Sequence, residues 1–404
     1  MSRPSPIRSI ALDIRPSQRL AALPVYPFAD VDRKVASLRA SGHACIDFGV
    51  GDPTDPTPVF IREAIKAGVD RHAADGYPSY IGSVEFREAI ASWFRRRFGV
   101  RLDPQTEICA NIGAKEAVFN FPNALIDPGD VVLCPSPGYP PYARGTLFAG
   151  GVPYFYPLRM ENGFLPDLEA IPERVLNKAR LIWVNYPNSP SGRVAPDRFF
   201  VELLAFAERH GIVVASDEAY SEIYFTDRPP RSVLEFGRDG VIVFQSLSKR
   251  SNMTGHRVGF VCGDARLVDL FRRLKTNVDS GTANYIQDGA IAALSDEAHV
   301  EAARASYRAR RDIVVPALRD VGCEVFEPEG TLYVWPRVPR GMNGLKFAER
   351  LLEPDAAVVV TPGAMLCEPL EDGSNPGEAH VRLALVPSIE DTRVAADRIR
   401  RAFR

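Results

Sequence analysis

Lysine is scarce in this chain. Of its 49 basic residues only seven are lysines: Lys34, Lys66, Lys115, Lys178, Lys249, Lys275 and Lys346. Chemistry that needs a primary amine therefore has seven candidates. A surplus of either charge is also missing. The 49 basic and 51 acidic residues leave a formal net charge of −2, which provides no broad basic field for nucleic acid and no basic tail for an anionic membrane. The six cysteines (Cys45, Cys109, Cys134, Cys262, Cys323 and Cys367) form no C-x-x-C pair. That removes the usual metal-ligand spacing and argues against a disulfide framework in so long a chain. The six histidines show no H-x-x-x-H pattern. No apolar run approaches the ~18 residues that cross a bilayer, and the first residues lack the apolar core and cleavage site of a secretory signal. The expectation is a soluble, cytoplasmic protein without a metal.

What is present is enough apolar material for a large core. The chain has 404 residues, 46% of them hydrophobic, which suits a large α/β domain with a smaller companion. Residues 1 to about 30 are polar and proline-containing and read as an arm. The stretch Val84 to Phe98 puts Phe86, Ile90, Trp93 and Phe94 on one side at helical spacing. After it, short Val/Ile-rich runs alternate with helical patterns: Glu107–Asn111, Val131–Cys134, Leu181–Asn185, Ile212–Ser216, Val241–Gln245 and Val258–Cys262. This alternation predicts an open, mostly parallel sheet with helices on both faces. From about Ser295 the pattern becomes α+β. A charged helix over Glu297 to Leu318 leads to strands at Cys323–Phe326 and Thr331–Trp335. A helix near Leu345–Leu352, strands near Ala357–Val360 and Val381–Leu385, and a terminal helix follow. The expected organisation is an arm with part of the small domain over 1–50, a large domain over 51–295 and a small domain over 296–404.

Ligands of open α/β sheets bind beyond the carboxyl ends of the strands, so the residues after each predicted strand carry the chemistry. After the first come Gly113, Ala114 and Lys115 at a helix start, where backbone N–H groups can approach an anion. After the third comes a rigid turn, Asn185-Tyr186-Pro187-Asn188-Ser189-Pro190-Ser191-Gly192. After the fourth comes Asp217-Glu218-Ala219-Tyr220. An Asp ending an apolar strand is costly to bury unpaired, although a helix N-cap is the equal alternative. After the fifth comes Ser246-Leu247-Ser248-Lys249, with Arg257 between Gly255 and Gly259. A loop lysine is usually a solvated amine, but two hydroxyls and an arginine beside it suit a phosphate. A phosphate cradle, a buried acid, a phenol and an amine at one sheet edge are what pyridoxal phosphate requires. Lysine holds it as a Schiff base, and an Asp keeps its ring nitrogen protonated. A nicotinamide site has only Gly49-Val50-Gly51 for support. Thr54 holds the third glycine position, and Pro53 and Pro56 prevent a helix from opening there.

The run Ser246-Leu247-Ser248-Lys249-Arg250-Ser251-Asn252-Met253-Thr254-Gly255-His256-Arg257-Val258-Gly259-Phe260 resembles the lysine signature of the class I/II aminotransferases of fold type I. Within that family the chain is most similar to the LL-diaminopimelate aminotransferases, through Gly51-Asp52-Pro53, Tyr77-Pro78-Ser79-Tyr80, Asp127-Pro128-Gly129-Asp130 and Lys275 to Gly281. The Ser216 to Phe225 segment is shared with succinyldiaminopimelate aminotransferases. The resemblance implies a large domain with a mostly parallel seven-stranded sheet plus a smaller α+β domain. It also implies a homodimer with shared active sites and a ping-pong exchange between an amino acid and a 2-oxo acid. The implied pair is LL-2,6-diaminopimelate and 2-oxoglutarate. Other aminotransferases (succinyldiaminopimelate, alanine or aspartate), or a C–S lyase or cyclase, are the alternatives on the same fold.

By the same resemblance, Lys249 carries the Schiff base and shuttles the proton, Asp217 pairs with the pyridine nitrogen, and Tyr220 donates to the ring hydroxyl. Tyr139 stacks on the ring. Gly113, Ala114, Lys115, Ser246, Ser248 and Arg257 surround the phosphate. Arg382 grips the substrate α-carboxylate, Gly51 meets the substrate through its backbone, and Tyr77 and Ser280 reach the neighbouring subunit's site. Departures from the family pattern are visible, a mild one being His256 at a position often held by an aromatic. Ser189 occupies the place of the usual Asn of an Asn-Pro-Thr-Gly turn, with Asn188 one position off. The segment Pro362 to Cys367 lacks the usual Phe-Gly ending, at the mouth where the substrate's far end binds.

Overall fold

The computed structural model describes residues 13–21, 23 and 29–404. Most of the expected arm over residues 1 to about 30 lies outside them. Within that stretch, Gln18–Ala21 form one exposed helical turn.

Seven strands form the main sheet: β1 (Ile108–Asn111), β2 (Val131–Ser136), β3 (Val152–Pro157), β4 (Ala179–Asn185), β5 (Val213–Asp217), β6 (Val241–Ser246) and β7 (Gly259–Gly263). Their spatial order is β1-β7-β6-β5-β4-β2-β3. β2 through β6 pair parallel, whereas β7 runs antiparallel to both neighbours. The mostly parallel sheet expected from the sequence is the one observed. Successive residues of a strand face opposite sides, and both sides are covered. Leu133, Ile182, Val184, Val214 and Val243 enter one core. Val132, Cys134, Leu181, Trp183, Ala215, Ile242 and Phe244 enter the other. Burial on both faces explains why these strands read as continuous apolar runs rather than alternating ones.

The sequence reading missed β3. It is an edge strand, mostly half-exposed along its length, and Pro153 and Pro157 interrupt its apolar run; proline cannot donate to a ladder and is confined to such edges.

Val84–Phe98 is helical as the spacing predicts. The Ser83 hydroxyl caps it by accepting from the Phe86 N–H at 3.1 Å, and Gly99 ends it at φ 69°, a left-handed conformation that only glycine adopts without strain. The helix buries Phe86, Ile90, Trp93 and Phe94 in the first core.

A further core gathers Ile46 and Phe48 with residues of the last third of the chain, among them Phe347, Val358, Leu383 and Ile399. Helices Ala298–Asp320, Gly344–Leu351 and Ile389–Ala402 pack around strand pairs Ile46–Asp47 with Val358–Val359, and Thr361–Pro362 with Val381–Ala384. One expectation fails here. Cys323–Phe326 is not a strand, because only Glu324 makes an isolated bridge, to Arg337. The predicted strand Thr331–Trp335 shrinks to Tyr333–Val334.

Candidate active site

The carboxyl ends of β4, β5 and β6 lie side by side, with Asn185 opposite Asp217 and Asp217 opposite Phe244. Just beyond them opens a cavity of about 650 Å³. Its wall contains Gly51, Ala114, Lys115, Tyr139, Ser189, Asp217, Tyr220, Ser246, Ser248, Lys249, Arg257 and Arg382. Twelve of the residues singled out from the sequence thus meet in one place. Gly113 lies directly behind this wall. It sits at φ 75°, and a Cβ on it would come within 2.4 Å of an Arg257 nitrogen. Only a bare backbone fits there. Tyr77 and Ser280 are not in the cavity wall. Tyr77 is 88% exposed, and the loop after Ser280 packs on Ser79, where a Cβ on Gly281 would sit 2.5 Å from the Ser79 carbonyl.

Lys249 follows β6 in the single-turn helix Leu247–Arg250, whose first residues are held by the Ser246 hydroxyl accepting from the Ser248 N–H at 3.2 Å. Its Nζ donates to the Gly51 carbonyl at 2.6 Å. Among the described residues no carboxylate pairs with it. Burial holds the amine below the usual lysine range. Tyr333 and Asp52 oppose that shift, and the Arg382 and Arg257 charges add to it. Lys275 shows the contrast: fully buried, it is neutralised by Glu116 at 3.3 Å and Asp279 at 2.6 Å.

Asp217 is buried at the end of β5. Oδ2 accepts from the Tyr142 hydroxyl at 2.7 Å and Oδ1 from the Ala219 N–H at 3.1 Å. Burial pushes its carboxyl pKa up, and these two hydrogen bonds pull against the shift. Tyr142 is itself fixed by stacking on Trp183 at 4.8 Å and 16°. Asn185 completes the arrangement. Its Nδ2 donates to the Asp217 carbonyl and its Oδ1 accepts from the Ser189 N–H, both at 2.8 Å. Asn188, in contrast, closes its own turn through Ser191, with the hydroxyl donating at 2.6 Å.

On the opposite wall, Arg382 donates to the Gly49 carbonyl at 2.8 Å and lies over the Tyr333 ring at 4.7 Å. Its buried Nε has no partner. The Tyr333 hydroxyl is 3.3 Å from that of Tyr220. A Cβ on Gly51 would fall 1.9 Å from the Tyr333 oxygen, so Gly51 leaves the space that this phenol fills.

The sequence reading missed Tyr142, Asn185 and Tyr333 as parts of the wall. Tyr142 had a signal, lying three positions after Tyr139 in the first turn of Pro141–Phe148. Tyr333 had none, since the Tyr220 hydroxyl and Gly51 that it meets lie more than a hundred positions away.

The matched residues extend well beyond this site. The family model described as aminotransferase class I and II matches residues 43–399. An LL-diaminopimelate aminotransferase of Aquifex aeolicus is 44% identical over 387 residues, covering 95% of this chain and 98% of the relative. One from Desulforudis audaxviator is 46% identical over 350 residues, 86% of this chain and 89% of the relative. Among solved structures, substrate-bound BacF from Bacillus subtilis superposes with a TM-score of 0.87 at 36% identity, covering 96% of this chain and 98% of its own. An aminotransferase from Neisseria meningitidis gives 0.89 at 34%, with 96% and 100% covered. With the family model matched over residues 43–399 and relatives 44% and 46% identical over most of their length, this chain belongs to the class I and II aminotransferases.

Proposed function

We propose that the cavity holds pyridoxal 5′-phosphate, joined to Lys249, and that the enzyme moves the amino group of LL-2,6-diaminopimelate to 2-oxoglutarate. The observation that carries this reading is the Lys249 amine. It is held below the usual lysine range, with no ion pair to a carboxylate among the described residues, in the same cavity as Asp217, Arg257 and Arg382.

The donor set fits the cofactor. Two hydroxyls, Ser246 and Ser248, and the Arg257 guanidinium suit a phosphate, with the bare Gly113 backbone and Ala114–Lys115 beside them. Asp217 is a buried carboxylate without a cationic partner, which suits a protonated ring nitrogen. When bound, the cofactor supplies a sink for the electron pair left at the substrate α-carbon.

The chain's own residues do the rest. Arg382 meets the α-carboxylate with a planar fork, steadied from behind by Tyr333 and the Gly49 carbonyl. The Lys249 amine, once released, carries the α-proton, and its lowered pKa leaves it free to accept one. Tyr142 and Asn185 hold Asp217 from two sides, so its position does not depend on substrate. Tyr220 and Ser189 line the cavity and would present hydroxyls to the cofactor ring, the shorter Ser189 through a water, and Tyr139 would cover that ring.

The rest of the reading is a homodimer in which Tyr77 and Ser280 serve the neighbour's site. The large exposure of Tyr77 supports it, since exposed aromatics favour interfaces. Two cores, the first drawn mostly from 51–295 and the second mostly from 296–404 with Ile46 and Phe48, support a large domain over 51–295 and a small one over 296–404 with part of 1–50. The absence of disulfides among six free cysteines supports a cytoplasmic setting.

Purified protein should be yellow. Lys249→Ala should lose both the colour shift on substrate addition and turnover. A colourless protein that gains no absorbance from added pyridoxal phosphate overturns the cofactor assignment. A clear preference for alanine, aspartate or the N-succinyl derivative over LL-diaminopimelate, with 2-oxoglutarate as acceptor, overturns the substrate assignment alone.

A further inference from the structure

Residues 49–55 form a strap without helix or strand, and Gly51 and Asp52 within it line the cavity. A segment with no ladder of its own takes its position from whatever holds its ends. The near end is fixed to the strand Val381–Ala384 and its neighbour. The Phe48 carbonyl accepts from the Ala384 N–H at 2.7 Å. The Gly49 carbonyl accepts from the Arg382 guanidinium and from the Thr361 hydroxyl, both at 2.8 Å.

The far end is held by a residue outside the cavity wall. Arg310, on the helix Ala298–Asp320, is only 4% exposed. Its Nη2 donates to the two Asp55 oxygens at 3.1 and 3.3 Å, and its Nη1 donates to the Leu385 carbonyl at 3.3 Å. The guanidinium lies over the Tyr307 ring at 5.5 Å, and its Nε has no partner. A buried cation with so few acceptors cannot give one up cheaply. Arg310 therefore joins two pieces of backbone: the strap at Asp55, and the end of the strand that carries Arg382 at Leu385. The same two pieces carry the partners of the Arg382–Gly49 contact. Past Asp55 the chain turns to the loop after Lys249, where the Thr57 hydroxyl donates to the Asn252 carbonyl at 2.6 Å.

We propose that Arg310 is a positioning residue for substrate binding. By gripping Asp55 and Leu385 together, it sets where the Gly49 carbonyl stands relative to Arg382, and so how that fork is turned toward an α-carboxylate. The inference rests on the reading of Arg382 as the partner of the α-carboxylate. A planar fork is sensitive to such placement, because both of its hydrogen bonds must align at once.

The test measures KM and kcat for LL-diaminopimelate and for 2-oxoglutarate on cofactor-loaded enzyme. The proteins are wild type, Asp55→Ala, Asp55→Asn, Arg310→Lys, Arg382→Lys and the double variant Asp55→Ala/Arg382→Lys, each checked for folding by its thermal midpoint. Asp55→Ala should raise both KM values by about 10-fold and change kcat by less than about 3-fold, since each substrate in turn presents its α-carboxylate to the same fork. Asp55→Asn keeps one acceptor oxygen and should recover part of the loss. Arg310→Lys lacks the fork that bridges both acceptors and should match Asp55→Ala in direction. A purely structural role lowers midpoints and leaves KM unmoved. Residues that act through one contact are not additive, so Asp55→Ala should raise KM by less than about 2-fold once Arg382 is lysine. If Asp55→Ala does not fold, Asp55→Asn, whose side chain is 44% exposed in the wild type, carries the same cycle. With Arg382→Lys raising KM, values unmoved in the Asp55 and Arg310 variants, or the full factor added on top of Arg382→Lys, overturn the positioning role alone. A wild-type KM in Arg382→Lys overturns the reading of Arg382 and the positioning role with it.

Discussion

Glu218 offers a measurement that depends on burial alone. It follows Asp217 and is 1% exposed. Its Oε1 accepts from the Val233 N–H at 3.0 Å, the Ser216 hydroxyl at 3.1 Å and the Ser232 hydroxyl at 3.2 Å, while Oε2 has no partner. Burial pushes its pKa from 4.5 up to about 7, against the pull of those three donors. The sign follows from linkage. A carboxyl whose folded pKa is raised keeps its proton in the native state longer than in the unfolded chain. Its contribution is fully present below the unfolded pKa and is lost as pH rises through about 7. At about 1.4 kcal/mol per pH unit, the loss is on the order of 3 kcal/mol between pH 4.5 and 7. Glu218→Gln removes the titration while keeping the shape. For a chain of this length an unfolding entropy of about 2 cal/mol/K per residue turns 3 kcal/mol into a shift of about 4 °C. The thermal midpoint of the variant relative to wild type should therefore rise by about 4 °C between pH 5 and pH 8, read by circular dichroism at one scan rate on cofactor-free protein. Parallel midpoint-versus-pH curves would refute the claim that Glu218 is protonated in the folded protein near neutrality.

Three further outcomes are expected around the site. Tyr142→Phe deletes the 2.7 Å hydrogen bond that lowers the Asp217 pKa, so the acidic limb of the kcat/KM profile should move to higher pH with a roughly tenfold loss at neutrality; an unmoved limb counts against it. Gly51→Ala forces a methyl into the Tyr333 oxygen, 1.9 Å away. That must displace either Tyr333 or the carbonyl that receives Lys249, so kcat should fall at least ~100-fold while the thermal midpoint drops by only a few degrees. Arg382→Lys keeps the charge and loses the fork. KM for every amino acid should rise by about 100-fold, with kcat affected less, in steady-state assays. Equal losses in both constants would argue that Arg382 acts on the chemical step.

Much of the site was legible because each loop residue follows a strand whose apolar run is visible. Asp217 and Lys249 are each placed by one local pattern, and the sheet brings the patterns together. β3 was not legible, since Pro153 and Pro157 interrupt its run and proline argues against a strand. Nor was the absence of a strand at Cys323–Phe326, where an apolar-looking segment finds no partner beyond one bridge at Glu324. Tyr142 was within reach of helical spacing, and Asn185 ended a strand already identified. Their shared task, clamping Asp217 from two sides, needed the coordinates.

The sequence by itself determined most of the order of strands and helices, β3 and the Cys323–Phe326 segment excepted, and the chemical kit. It supplied one lysine after β6, one aspartate after β5, an arginine late in the chain and few competing amines. Those follow from local periodicity and residue type, which folding does not alter. Tertiary structure decided which groups face each other. Lys249 reaches a carbonyl 198 positions away at Gly51, Arg382 one 333 positions away at Gly49, and Tyr333 fills the space between Gly51 and Tyr220. Such contacts arise from the packing of whole elements. No local pattern encodes them, because their energy belongs to pairs of residues that meet only after the sheet and the second core have closed on each other.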